Sequence, residues 1–67
     1  MKIIDYKTGY LEAVDAEGIV LATASRCLKS EGSHFSGWII RNRSNLNLYS
    51  DPIPTKAEVI SRIGEFA

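Results

Sequence analysis

The chain has 67 residues, 45% of them hydrophobic, and eight basic and eight acidic side chains that cancel to a formal net charge of zero. That length allows one small domain, residues 1–67, with a thin core, and leaves no room for a deep enclosed pocket; the apolar fraction excludes global disorder. Neutrality weighs against holding nucleic acid mainly by neutralising phosphates, which ordinarily calls for a net positive charge.

Residues 2–6, short and rich in isoleucine, read as a first strand, followed by a turn or bulge at Lys7-Thr8-Gly9. Residues 10–14 (YLEAV) read as the second strand. Asp15-Ala16-Glu17-Gly18 then reads as a tight hairpin connection, because the aspartate can bond backbone amides ahead of it and the glycine can take positive φ. Residues 19–24 (IVLATA) form the most apolar stretch, as expected of a central strand covered on both faces. A four-residue loop would place Val14 opposite Ile19 and Glu12 opposite Leu21. One face would then carry Leu11, Ala13, Val20 and Ala22, and its alanines would let a helix approach closely.

Residues 25–36 (SRCLKSEGSHFS) are the longest polar connection and read as a loop. Residues 38–42 are a further strand, and Arg43-Ser44-Asn45 a turn. The alternation Leu-Asn-Leu-Tyr over 46–49 predicts a half-exposed strand, stopped by Asp51-Pro52-Ile53-Pro54 because proline cannot donate to a ladder. Thr55-Lys56-Ala57-Glu58 is a capping box, with threonine accepting from the N3 amide and Glu58 reaching back. Val59, Ile60, Ile63 and Phe66 follow at helical spacing and predict an amphipathic helix over 56–66 whose last turn Gly64 weakens. The fold class expected is therefore α+β: a small antiparallel β-meander of three to five strands with one C-terminal amphipathic helix packed on a face. In element order alone, a meander followed by PTKAEVISRI resembles the small three-stranded DNA-binding arms of some recombinases; topology carries no function with it, and no DNA-reading motif accompanies it.

The candidate chemistry is sparse. Cys27 is the single cysteine and His34 the single histidine. A Cys-His pair can generate a thiolate nucleophile, but hydrolysis also needs an orienting group and an oxyanion site, and a structural zinc site usually wants four ligands. Cys27 reads instead as a small buried hydrophobe and His34 as an exposed loop residue. The carboxylates show no clustered spacing, and the glycines form no phosphate-binding motif. No enzyme activity, cofactor or metal is expected. One cysteine excludes a disulfide scaffold and suggests a reducing cytoplasm. No run approaches the roughly 18 apolar residues of a membrane span. No signal-peptide order is present at the start, and the chain reads as a complete small gene product.

Two functional expectations remain. The first is a non-catalytic protein-binding module, of the kind a small phage or mobile element would use to inhibit a host enzyme complex. Phe35, Trp38, Arg41, Arg43 and Tyr49 are its candidate contacts, on a sheet face or edge beside the long loop. Pairing through a strand edge would also make a homodimer. The second is a nucleic-acid-binding domain using Arg26, Lys29, Arg41 and Arg43, provided the loop folds back to place all four on one side. Side-chain alternation puts Ile39, Arg41 and Arg43 on one face of their strand and Trp38 and Ile40 on the other. The plainer reading of the arginine pair is a solvated strand end matched to Glu12, Asp15 or Glu17.

Overall fold

The computed structural model describes all residues, 1–67. Four strands, β1 (Lys2–Asp5), β2 (Tyr10–Val14), β3 (Val20–Cys27) and β4 (Gly37–Asn42), form one antiparallel sheet in the order β1-β2-β3-β4. Helix α1 (Lys56–Arg62) crosses one face, and its last turn, Ile63–Phe66, tightens to 3-10 geometry. The expected α+β class and the helix over 56–66 are both observed. The long connection is shorter than its polarity suggests: β3 runs on to Cys27, and a 3-10 turn at Lys29–Glu31 occupies part of the rest.

The hairpin at 15–18 forms through its aspartate. The Asp15 carboxylate accepts from the amides of Glu17 and Ile19, both at 2.9 Å, and Gly18 takes φ 82°. The register differs from the expected one. Asp15 and Ile19 close the loop, Val14 lies opposite Val20, and a bulge then sets Ala13 opposite Ala22 and Glu12 opposite Thr23. Relative to the expectation, Ala13 meets Ala22 in place of Val20, a slip of two residues. Because strand side chains alternate with a period of two, such a slip leaves Leu11, Ala13 and Ala22 on their expected face; beyond the bulge the slip is one residue, so Val14 and Val20, expected on opposite faces, lie opposite each other. Leu11, Ala13 and Ala22 are accordingly buried completely, joined by Ala24, while Val20 is only half-buried.

The core comprises Leu11, Ala13, Ala22, Ala24, Trp38, Ile40, Ile53, Val59 and Ile63, with Ile3 and Phe66 packed against it. Alanines at three of the sheet positions supply the flat floor on which the helix rests. Val59, Ile63 and Phe66 face that floor at i, i+4 and i+7, whereas Ile60 points outward and is 46% exposed. The helix has one buried stripe, and Ile60 lies off it by one residue, a rotation of roughly 100°. The cap forms in half: Thr55 Oγ1 accepts from the Glu58 amide at 3.3 Å. Glu58 turns away from Thr55 toward Arg62, 3.7 Å distant on the next turn. The C-terminal turn is held despite Gly64, because Asn42 Nδ2 donates to the Phe66 carbonyl at 2.7 Å.

Two expectations about sheet coverage are corrected. β3 is covered on one face only: Leu21 and Thr23 on the other are half-buried and Ser25 is exposed. Residues 46–49 are no strand. The Asn42 side chain takes the amides of Ser44 and Asn45, the Asn45 side chain takes that of Asn47, and the Asn45 carbonyl takes that of Leu48. These local bonds wind the segment into consecutive turns, the usual way asparagine competes with a ladder. The chain then returns along the outer edge of β4. Asn42 N–H donates to Leu48, Ser50 N–H to Ile40, and Trp38 and Ile53 exchange both of their backbone bonds. Opposite Ile40 the buried Ser50 hydroxyl accepts the remaining amide at 2.9 Å. The prolines flanking Ile53 sit where no ladder donor is required, so β4 has no open edge.

Candidate functional site

With the helix on one side, the opposite face of the sheet has no covering layer. Alternation along the strands fixes what it presents. One cross-strand row reads Ile4, Glu12, Thr23, Arg41 and Tyr49, each the pairing partner of the next. A second row reads Tyr10, Ser25 and Ile39. Leu21, Tyr6 and Arg43 lie at the margins.

Two polar constellations organise this face. At one end Glu12 accepts from both neighbouring tyrosines, Tyr6 Oη at 2.6 Å and Tyr10 Oη at 3.0 Å. The two rings lie 5.6 Å apart, tilted by 35°. At the other end the Arg41 guanidinium stands over the Tyr49 ring, 5.4 Å from its centroid, within cation–π range. Tyr49 is 58% exposed and Tyr6 48%. Arg41 and Arg43 are both exposed and neither forms an ion pair; the three salt bridges are Lys56–Asp5, Arg62–Glu58 and Arg62–Glu65. The expected pairing of these arginines with Glu12, Asp15 or Glu17 is thus absent. Glu12 is engaged by the tyrosines, and Asp15 by its own loop amides. Aromatic hydroxyls and unmatched guanidinium groups therefore stand on one open face of a chain whose total charge is zero.

The structure places the other singled-out residues elsewhere. Trp38 is 6% exposed and part of the core, so it cannot anchor a partner on this face; the pleat that exposes Arg41 buries it. Phe35 is half-buried in the connection after β3. Arg26 has the parity of Ala22 and Ala24 and pairs with Trp38, which puts it on the helix side, opposite Arg41. The requirement that Arg26, Lys29, Arg41 and Arg43 share one side is not met. Cys27 is half-buried and His34 exposed. No group of three or more His, Cys, Asp or Glu side chains converges, and no helix is long and apolar enough to cross a membrane. The only sheet edge left open is β1, four residues long with a lysine and an aspartate at its ends, features that discourage pairing with another strand.

Tyr6, Tyr10 and Glu12 were missed as a unit by sequence reasoning. The i, i+2 spacing of Tyr10 and Glu12 on one strand was the available signal; Tyr6 arrives across the turn. The cluster has a titration consequence. The hydrogen bond to Glu12 raises the Tyr6 pKa above the ordinary 10.0, and burial, then the Glu12 bond, raises that of Tyr10 above the same value. A pKa raised in the folded state adds stability that is fully present below the unfolded value and is lost as pH climbs through the folded one. Absorbance titration is expected to show two tyrosines ionising above pH 10 (about the ordinary value), and Glu12→Gln to bring both back toward it. Unshifted midpoints in the parent protein would contradict the cluster.

Compared with protein-family models, with curated proteins and with solved structures, the chain has no match.

Proposed function

We propose that this protein is a non-catalytic protein-binding module whose contact surface is the uncovered sheet face, and that its partner presents carboxylates beside apolar groups. The observation that carries the reading is the Arg41–Tyr49 pair. Arg41 is held over an exposed ring and left without a carboxylate partner in its own chain. Arginine and tyrosine are the residue types that dominate binding energy at interfaces, and a guanidinium already positioned by an aromatic face loses little freedom on meeting a carboxylate. Ile4, Leu21 and Ile39, all half-buried, supply apolar area around the pair. Arg43 extends the positive end, and the Glu12 cluster forms a rim opposite to it.

A nucleic-acid partner is the second reading. Its support is the same two arginines, but Arg26 faces the other way, so few phosphates could be neutralised at once. The test separates the two. Tagged protein is used to capture partners with and without nuclease, at low and high salt, and capture is repeated with the double variant Arg41→Ala/Tyr49→Ala. The expected result is a nuclease-resistant protein partner whose affinity falls at least about 30-fold in the double variant, the scale of a single strong hot spot. Phe35→Ala, in the connection between β3 and β4 and outside the paired rows of this face, is expected to weaken capture less than the double variant. Full retention by the double variant would overturn the reading, and nuclease-sensitive recovery that vanishes with salt would replace it with the second.

A further inference from the structure

On the helix side of the sheet, at the end where the β1–β2 turn meets the start of α1, lies a shallow cleft of about 540 Å³. Residues 7–9 form one wall, Pro54 and Lys56 another, and Arg26 and Trp38 line the base between them. Three separate elements therefore each contribute one cation: Lys7 from the turn, Arg26 from β3 and Lys56 from α1. Arg26 is not a free surface arm. Its backbone N–H donates to the Gly9 carbonyl at 2.8 Å. Its Cβ and Nε lie 3.4 Å, and one terminal nitrogen 3.7 Å, from where a β-carbon on Gly9 would stand. The absence of a side chain at Gly9 lets the guanidinium lie against the loop.

The charges of the cleft are unbalanced. Lys7 and Arg26 form no ion pair, and Lys56 has a single partner, Asp5. The backbone N–H groups of Thr8 and Gly9 make no hydrogen bond within the protein, so the turn adds two donors to the three cations. A ligand with several acceptor oxygens and more than one negative charge satisfies such a set better than a single carboxylate does. The volume falls within the roughly 300–1,000 Å³ of small-molecule sites, enough for a phosphate and the small group that carries it.

We propose that this cleft binds a phosphomonoester dianion, with the Arg26 guanidinium as its central contact and Lys7, Lys56 and the 8–9 amides around it. Asp5 is the internal competitor. Its carboxylate engages Lys56 and the Lys7 amide, and it repels an incoming anion. The site stands on the opposite side of the sheet from Arg41 and Tyr49, so its fate is independent of the partner-binding reading.

The test is an amide-resolved NMR titration of the full chain with inorganic phosphate, replacing chloride at constant ionic strength. Saturable shifts confined to Thr8, Gly9 and the Trp38 indole are expected, with a dissociation constant on the order of 1 mM. Arg26→Gln is expected to weaken binding at least about tenfold, and Asp5→Asn, which removes the competing carboxylate, to tighten it by about threefold. Titrations with phosphoserine and adenosine monophosphate, each beside its phosphate-free parent, show which kind of carrier the cleft prefers; both esters are expected to bind and neither parent to do so. Shifts spread evenly over all exposed lysines and arginines, unchanged affinity in a folded Arg26→Gln variant, or equal binding of the phosphate-free parents would overturn the proposal.

Discussion

Ile53→Ala is expected to unfold most of the protein at room temperature. Ile53 is fully buried, and its backbone exchanges both bonds with Trp38 at the outer edge of β4. Truncating a buried isoleucine costs about 2–5 kcal/mol through lost transfer energy and the cavity left behind. A domain of this size commonly has only about 3–5 kcal/mol to lose. The cavity would open at the segment that closes the sheet edge, so the unfolding chain would also expose β4 to intermolecular pairing. The informative control is Ile60→Ala. The two isoleucines are equally apolar in sequence, but Ile60 is turned to solvent, and its truncation is expected to change stability by no more than about 0.5 kcal/mol. Denaturant titration of both variants by circular dichroism is the measurement. Similar losses for the two would mean that the helix is rotated so as to bury Ile60.

Gly37→Ala is the second change with a large expected cost, about 1–3 kcal/mol. Gly37 opens β4 with φ 153° and is buried, and a β-carbon there would lie 3.0 Å from the Ile53 carbonyl oxygen. That oxygen cannot easily give way, because it accepts the Trp38 amide at 2.7 Å. Alanine therefore meets both a backbone conformation that L-residues rarely adopt and a close contact with an atom pinned in the ladder. Gly18→Ala isolates the first effect: Gly18 has φ 82° but nothing within 4 Å of the added carbon. Chemical denaturation is expected to rank Gly37→Ala well below Gly18→Ala. Equal losses would show that conformational strain alone sets the cost.

Both predictions concern the return of residues 48–53 along β4, the part of the fold least visible in the chain. The same ladder also bears on function. It closes one edge of the sheet, leaving β1 as the only edge and the uncovered face as the broadest surface for a partner. The core alanines act in the same direction, since by seating the helix on one face they leave Arg41, Tyr49, Tyr6 and Glu12 together on the other.

What the sequence by itself determined was local. The loop at Asp15 and the cap at Thr55 depend on side chains bonding amides within four residues, so no distant contact is needed to specify them. Alternation grouped Leu11, Ala13 and Ala22 on one face and Trp38 with Ile40 on one face of their own strand, and both groupings survive the two-residue error in register because the period is two; that the two groups share one core came from the pairing of the strands. Only the tertiary structure decided the rest. The Leu-Asn-Leu-Tyr pattern matches a strand, yet the Asn42 and Asn45 side chains just ahead of it capture the amides of Ser44, Asn45 and Asn47 and turn the chain. Ile60 matches the helical stripe, yet a sheet floor of alanines admits only the narrower face through Val59 and Ile63. Arg41 and Arg26 look alike in the chain, yet the parity of two paired strands sends one to the open face and the other to the cleft beside the helix. In each case the deciding partner is remote in sequence or competes with a pattern that is locally satisfied, and its contribution becomes fixed only when the sheet and helix are packed together.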